Sequence, residues 1–252
     1  MKTFFGMLNF MASATISPFM TQDCKLLSRT ELTSKVTNPV ILLRFELPES
    51  TSLENDVFHH VSITAVINGR SYRRNYTPIT TSETKGYFEI MVKVYPDGCM
   101  GNYLNKLQVG QTVNVAPPRG KLTYIPGQHE SIGIICGGVG VAPMIHLIRK
   151  TLHSHPNTNI TLLFCNQTEQ DIIMKKELDQ LAEQHSNFKV YYVLSQPHEE
   201  WDGIRGRVNE WVIETYLPSS NTHLTVFCGP KPMNRTLKAI FSKQGRTNAY
   251  KV

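Results

Sequence analysis

A glycine-rich segment between an apolar run and a proline is the first part of the chain that could bind a ligand. Residues 132–136 are mostly apolar, the sequence GGVG follows at residues 137–140, and Pro143 comes shortly after. The apolar run predicts a buried strand, and proline suits the first turn of a helix. Glycines let backbone N–H groups approach a ligand, and helix N-termini favour anions. The segment therefore predicts a phosphate or other anion site, with a purely structural glycine turn as the open alternative.

A second candidate is the sequence RNYTPI at residues 74–79, at the end of a predicted strand. The planar guanidinium of Arg74 has the donor geometry to bind a diphosphate. Tyr76 stands two positions further on, hence on the same face of the strand, where its ring can stack on a flat ligand. Thr77 adds a hydroxyl beside that ring. A plain strand end with a turn proline remains the alternative interpretation.

A third candidate is the sequence CGPKPM at residues 228–233, which follows a predicted parallel strand. Ligands bind at the carboxyl ends of parallel strands, so the Cys228 thiol is placed to face one. A free cysteine is also commonly a small buried apolar side chain, and that alternative stays open. The cysteines at 24, 99, 136, 165 and 228 include no CxxC pair, and the histidines show no metal-ligand spacing. We therefore expect no disulfide scaffold, no metal site and a reducing compartment.

The elements that must position these residues fall into two halves. From about residue 24 to 124, segments of alternating polarity are separated by turn signals such as Asn68-Gly69, which predicts a small antiparallel barrel with a short helix near residues 103–107. From residue 126 onward, strand and helix patterns alternate, which predicts a parallel sheet with right-handed crossovers. We expect an α+β two-domain fold with an antiparallel β-barrel at residues 23–125 and an α/β parallel-sheet domain at residues 126–252.

Composition and charge exclude several classes of protein. A chain of 252 residues with 40% hydrophobic and 18% charged residues is typical of a globular protein with a sizeable core. The net charge of +6 comes without arginine runs, so we expect no nucleic-acid binding. Residues 4–20 are mostly apolar but shorter than a membrane span. We interpret residues 1–22 as a leader or weak anchor, with a targeting segment as an alternative.

The order of the three motifs resembles that of a known family. RxYTP in a β domain, GGxGxxPM opening an α/β domain and CGPxPM near the C-terminus are similar to the motifs of the ferredoxin–NADP reductase superfamily. Within it, the chain resembles NADH–cytochrome b5 reductases most, from about residue 24 to the C-terminus. The resemblance is strongest in LFCNQTEQDI at residues 163–172 and in WDG at residues 201–203.

The resemblance implies a flavoenzyme. FAD would lie on the barrel, with Arg74 on its diphosphate and Tyr76 against the isoalloxazine. Three residues are expected to take part in catalysis. Thr77 would lie near the reactive flavin nitrogen, Lys93 between the flavin and the nucleotide, and Cys228 near the nicotinamide. The residues expected to bind FAD or the nicotinamide nucleotide are Arg74, Asn75, Tyr76, Thr77, Pro78, Met91, Lys93, Cys99, Met100, Gly101, Gly137, Gly138, Val139, Gly140, Ala142, Ser195, Cys228, Gly229, Pro230 and Met233.

Several positions depart from the pattern of the family around the phosphates. Cys99 and Gly101 replace the lysine and serine of a GKMS turn, and each lost contact is worth roughly 1.5–3 kcal/mol, so we expect weaker retention of FAD. Val139 and Ala142 replace two threonines of the glycine turn. Phe58 stands where glycine is usual.

One further departure concerns the choice of nucleotide. Ser195 replaces an aspartate that would repel a 2′-phosphate, so we expect relaxed selection between NADH and NADPH. Gln196, Arg205 and Arg207 are the candidate partners of that phosphate.

The function that the resemblance implies is hydride transfer from NAD(P)H to FAD and then single-electron transfer to a haem protein, cytochrome b5 above all. An acidic acceptor of this kind would suit a basic rim around the edge of the flavin. We also expect the protein to be a monomer. We expect a cytoplasmic protein, with a peripheral position on the endoplasmic reticulum or the mitochondrion as an alternative. The other functions left open are a diaphorase that reduces quinones or ferric chelates and a non-catalytic flavin- or nucleotide-binding protein.

Overall fold

The computed structural model describes residues 20–33, 38–120, 122–218 and 223–252. These residues form two six-stranded sheets and five α-helices. The strands are β1 Gln22–Thr33, β2 Val40–Glu46, β3 His60–Ile67, β4 Arg70–Tyr76, β5 Tyr87–Lys93, β6 Thr112–Arg119, β7 Ser131–Gly137, β8 Asn159–Asn166, β9 Phe188–Leu194, β10 Ile204–Arg205, β11 Leu224–Cys228 and β12 Ala249–Lys251. The helices are α1 Cys99–Lys106, α2 Ala142–Ser154, α3 Lys175–Gln184, α4 Glu210–Tyr216 and α5 Lys231–Lys243.

The first sheet is antiparallel and has the strand order β4-β3-β6-β1-β2-β5. Asn68 and Gly69, with φ of 50° and 74°, form the predicted tight turn between β3 and β4. The chain just after β4 pairs with β5, through a bridge from Pro78 to Ile90 and a hydrogen bond of 2.9 Å from the Ile79 N–H to the Glu89 carbonyl. The edges of the sheet therefore meet, and the sheet closes into a barrel around a core that includes Phe45 and Phe88.

The second sheet contains parallel strands in the order β10-β9-β8-β7-β11-β12. β7 lies near its centre and is buried at every position, because helices cover both faces. One apolar cluster covers a face of this sheet and also includes Val40, Val57, Phe58 and Met91 from the first half of the chain. The two sheets therefore pack against each other. The predicted fold class, an antiparallel barrel followed by an α/β parallel sheet, is confirmed.

The structure corrects some element boundaries. Helix α1 begins at Cys99 rather than near residue 103, so residues 99–101 form its first turn. The short strands β10 and β12 were not predicted, since two or three residues carry too little periodicity to show a strand. The predicted leader at residues 1–22 lies outside the described residues except for its last three. Within the described part of the chain, no helix is long and apolar enough to cross a bilayer.

Candidate functional site

A cleft of about 910 Å³ lies between the two sheets. Its first wall comes from β3, β4 and β5, and its second from the carboxyl ends of β7, β8, β9 and β11. Of the residues predicted from the sequence, the cleft is lined by Asn75, Tyr76, Thr77, Met91, Lys93, Gly137, Gly138, Val139, Gly140, Ala142, Ser195, Cys228, Gly229, Pro230 and Met233. Parallel strands place their carboxyl ends at one edge of a sheet, which explains why segments far apart in sequence meet here.

The charged side chains that line the cleft in the described part of the chain are cationic. Among the described residues that line it, Lys93, Arg207 and Lys251 are cationic and none is an aspartate or glutamate. A lining of this kind attracts polyanions and imposes no carboxylate repulsion on them. The composition of the cleft therefore fits a ligand with phosphate groups.

The first wall offers apolar and aromatic surface to a flat ring. Tyr76 is partly buried at the end of β4, and Met91 and Lys93 stand on neighbouring β5. Burial raises the pKa of the Tyr76 phenol to about 12, so its ring stays neutral at physiological pH. Thr77 directly follows β4 and also lines the cleft. A neutral aromatic ring with a hydroxyl beside it fits an isoalloxazine.

The glycine turn lies on the opposite wall. Gly138 has φ of 53°, a conformation that suits glycine, and a Cβ atom added there would make an ordinary contact with Lys93, whose Nζ would be 3.8 Å away. The turn continues as a 3₁₀ helix, Gly138–Val141, into α2, which has Pro143 at its start. No side chain caps the start of the 3₁₀ helix, so its first N–H groups remain available to an anion. At the start of α2 itself, the Ala142 N–H already donates to the Val139 carbonyl and Pro143 has no N–H.

Gly140 has a different role, because it lets the glycine turn pack on β11. A Cβ atom at position 140 would lie only 2.3 Å from the carbonyl oxygen of Cys228. The close approach joins the glycine turn to the strand end that carries the thiol. Gly140 therefore determines the spacing between two parts of the candidate site.

We expect Gly140→Ala to destabilise the fold by roughly 3 kcal/mol or more, because the added methyl collides with backbone that cannot move independently. Gly138→Ala is the matched control, and it should cost only about 1–2 kcal/mol for the left-handed conformation. Urea unfolding of both variants measures the difference. Equal losses in the two variants would contradict this account.

Lys93 forms an ion pair that joins the two halves of the chain. Its Nζ lies 3.6 Å from Oδ1 of Asp171, and the side chains are 15% and 6% exposed. The other carboxylate oxygen of Asp171 accepts from the Thr168 N–H at 3.1 Å and the Thr168 hydroxyl at 2.9 Å. The pair therefore holds the loop after β8 against β5 and fixes the direction of the Lys93 ammonium.

Asn166 is a cleft residue that sequence reasoning missed. It ends β8, and both polar atoms of its amide are buried without a hydrogen-bond partner among the described residues. A buried amide without partners costs stability unless a ligand or water satisfies it. Gln167, the next residue, also lines the cleft. The rule that ligands meet the carboxyl ends of parallel strands could have indicated both.

Cys228 ends β11 and lies opposite Cys136 of β7 in the register. Burial raises the pKa of the Cys228 thiol, although the charge of Lys251 opposes the shift. The side chain is therefore a neutral thiol at physiological pH. Gly229 and Met233 pack beside it, with a Cβ at position 229 only 2.2 Å from the terminal methyl of Met233.

The predicted diphosphate clamp is not assembled in the cleft. Arg74 is exposed and donates to the Arg73 carbonyl at 2.8 Å, and Pro78 is buried at the barrel closure. Met100 is in the core of the barrel. Cys99 instead lines a separate depression of about 710 Å³ on the outer side of α1. These residues lie outside the cleft lining.

Gly101 has a packing explanation. A Cβ at position 101 would lie 3.3 Å from the carbonyl oxygen of Lys93, so the glycine lets α1 sit close against the end of β5. Helix α1 has no side-chain cap and no acidic residue in its first turn. Its first N–H groups therefore remain suited to a phosphate even without a serine hydroxyl.

Phe58 and His60 also line the cleft, just before and at the start of β3. Phe58 has φ of 67°, a left-handed conformation in which glycine would be unstrained, and such strain costs about 1–3 kcal/mol. Its ring is buried in the cluster that joins the two sheets. Packing of the ring therefore offsets the backbone strain, which explains how phenylalanine is accommodated here.

Polar contacts from α2 to the barrel side hold the walls of the cleft together. Lys150 Nζ lies 2.7 Å from Oδ1 of Asp56, and Arg149 Nη1 donates to the Ile79 carbonyl at 2.9 Å. Between them, Asn55 and His146 meet at 3.5 Å in a buried site. Burial lowers the pKa of His146 to about 4, so the imidazole is neutral at physiological pH.

This buried histidine predicts a pH dependence of stability. The pKa of His146 is about 4 in the folded state against the ordinary 6.5, so the unfolded chain takes up the proton first and stability falls as pH decreases from 6.5 towards 4. At pH 5 the loss from this group is about 2 kcal/mol. Urea unfolding at pH 7 and pH 5 measures this loss of stability. The His146→Gln variant should lose less free energy of unfolding over the same pH range, by about the contribution of His146. An identical pH dependence in the variant would refute the assignment.

Comparisons with known proteins agree with this geometry. Residues 23–124 match the family described as "Oxidoreductase FAD-binding domain", and residues 134–239 match that described as "Oxidoreductase NAD-binding domain". NADH-cytochrome b5 reductase 1 of Dictyostelium discoideum is 42% identical over 199 residues, covering 78% of this chain and 70% of that protein. The protein of the same name from Debaryomyces hansenii is 35% identical over 240 residues, covering 93% of this chain and 83% of that protein. The chain belongs to the NADH–cytochrome b5 reductase family.

The fold comparison gives the same result. The cytochrome b5 reductase domain of Ulva prolifera nitrate reductase superposes with a TM-score of 0.82 at 28% identity, covering 94% of this chain and 100% of that chain. The predicted family is thus confirmed, as is the prediction of an oxidoreductase with FAD-binding and NAD-binding domains. The roles of the individual residues remain our proposals.

Proposed function

We propose that this chain oxidises NADH and passes the electrons through FAD to cytochrome b5. The proposal rests on the cleft between the two sheets. One of its walls can bind a flat ring, and the opposite wall carries the glycine turn and the neutral thiol of Cys228. The charged side chains among the described residues that line the cleft are cationic. When bound, FAD would accept a hydride from the reduced nicotinamide and release the electrons one at a time.

The residues of the two walls would position the reacting rings. Tyr76, Thr77 and Met91 would hold the isoalloxazine on the barrel side. Cys228 and Gly229 would hold the nicotinamide on the other. Holding two reactants in a productive orientation accounts for much of the rate in reactions of this kind.

The charged and polar groups would bind the phosphates and sugars. The uncapped start of the 3₁₀ helix and the Lys93 ammonium would face the nucleotide diphosphate, and the amide of Asn166 would gain partners it lacks. For FAD, the uncapped start of α1 and the exposed Arg74 would bind the diphosphate, which requires the Arg74 side chain to leave the Arg73 carbonyl.

The proposal extends to the organisation of the chain. It takes residues 23–125 as the FAD domain, residues 126–252 as the NADH domain and residues 1–22 as a leader or weak anchor. It places a monomer in the cytoplasm or at the surface of an internal membrane, and the free cysteines fit a reducing compartment.

Acceptor kinetics test the proposal. With NADH as donor, kcat/KM is measured for cytochrome b5, for a quinone and for a ferric chelate. We expect cytochrome b5 to give the highest value, and we expect that value to fall as salt rises, because the basic chain attracts an acidic acceptor. A faster reaction with the quinone or chelate, independent of salt, would instead identify a diaphorase.

A further inference from the structure

We propose that the chain accepts NADPH as well as NADH and that Arg207 binds the 2′-phosphate of NADPH. The inference rests on the proposed role of the cleft as the nucleotide site. In sheets of this kind, an acidic residue near the adenosine ribose selects NADH, whereas an arginine accommodates the 2′-phosphate. The charged groups at that end of the cleft therefore decide which nucleotide binds.

The chain places Arg207 at the carboxyl end of β9. Ser195 directly follows β9, and β10 returns alongside it with Arg205 opposite Leu194. Gly206 then turns with φ of 99°, and its N–H donates to the Leu194 carbonyl at 2.7 Å. This turn brings Arg207 to the cleft, where Ser195 also lies.

The two neighbouring arginines differ in their availability. Nη2 of Arg205 donates to the carbonyls of Glu199 and Trp201 at 2.5 Å and 2.6 Å, so that guanidinium holds the loop before β10. No described residue forms a hydrogen bond or ion pair with the Arg207 guanidinium, and Arg207 is exposed at the cleft. A free guanidinium can bind a phosphate with two parallel hydrogen bonds.

The surroundings of Arg207 add neutral donors rather than negative charge. Ser195 and Gln167 also line the cleft, and the Gln196 N–H donates to the Gln167 carbonyl at 2.8 Å, which holds the two loops together. Since no aspartate or glutamate is among the described lining residues, a dianionic phosphate would meet no repulsion there.

Binding of NADP⁺ and NAD⁺ by isothermal titration calorimetry tests the inference in the FAD-loaded protein. We expect Arg207→Ala to weaken binding of NADP⁺ by about 10- to 100-fold, the effect of one charged contact, and that of NAD⁺ by less than about threefold. Arg205→Ala removes the same charge two residues away and should leave the ratio of the two affinities within about twofold. Ser195→Asp should weaken the binding of NADP⁺ more than the binding of NAD⁺.

The outcomes separate this inference from the function on which it rests. Wild-type protein that binds NAD⁺ but not NADP⁺ would overturn the inference and leave the function intact, as would an Arg207→Ala variant with an unchanged affinity ratio. Failure to bind either nucleotide would overturn the proposed function itself. Retained NAD⁺ binding in each variant serves as the control for folding.

Discussion

Replacing Lys93 by methionine should lower the free energy of unfolding by about 3–5 kcal/mol, because it leaves the carboxylate of Asp171 buried without its cation. Asp171 is 6% exposed, so water cannot take over the role of the lysine. The same substitution removes the ammonium that faces the glycine turn. Urea unfolding and NADH titration measure the two effects.

A second substitution separates stability from binding. In Lys93→Met/Asp171→Asn the buried charge is gone, so most of the lost stability should return, while the amide introduced at position 171 keeps an oxygen for the Thr168 donors. The dissociation constant for NADH should remain raised by about tenfold or more, since one charged contact is still missing. Recovery of NADH binding along with stability would show that Lys93 acts only in the fold.

Replacing Cys228 by alanine should slow hydride transfer by roughly 10- to 100-fold without changing the FAD content, because the gap left by the sulfur lets the nicotinamide shift from its reactive position. Stopped-flow reduction of the flavin by NADH measures the rate. Cys24→Ala is the matched control, since that thiol is buried in the core of the barrel. Equal rates in Cys228→Ala and the wild type would remove the thiol from the mechanism.

The protonation state of Cys228 adds a second readout. Burial raises the pKa of this thiol above its ordinary value of 9.0, so it stays neutral from pH 6 to pH 8. We therefore expect no step in the reduction rate from titration of Cys228 in that range. A step that disappears in Cys228→Ala would show that the thiolate takes part.

Most of the fold could be predicted because its signals are local. The alternation of β3, the Asn68-Gly69 turn and the apolar run of β7 each contain enough residues to show their period. The start of α1 was predicted too late in the chain, since glycine and cysteine in its first turn are weak helix formers and tertiary packing against β5 decides the boundary.

The candidate site was predicted only in part, because its members depend on contacts between distant segments. The three motifs indicated Tyr76, the glycine turn and Cys228, which do meet in one cleft. The Lys93–Asp171 pair depends on how the loop after β8 folds back, which no local pattern reveals. The same holds for the difference between the two arginines, which arises from the carbonyls that Arg205 meets.

An anaerobic absorbance titration of the FAD-loaded protein with NADH tests most directly whether the protein is a reductase. If the cleft brings the nicotinamide against the flavin, the flavin absorbance bleaches within the mixing time at one equivalent of NADH, and addition of oxidised cytochrome b5 restores it. Flavin that stays bound and oxidised in excess NADH would contradict the account and leave a binding protein rather than a reductase.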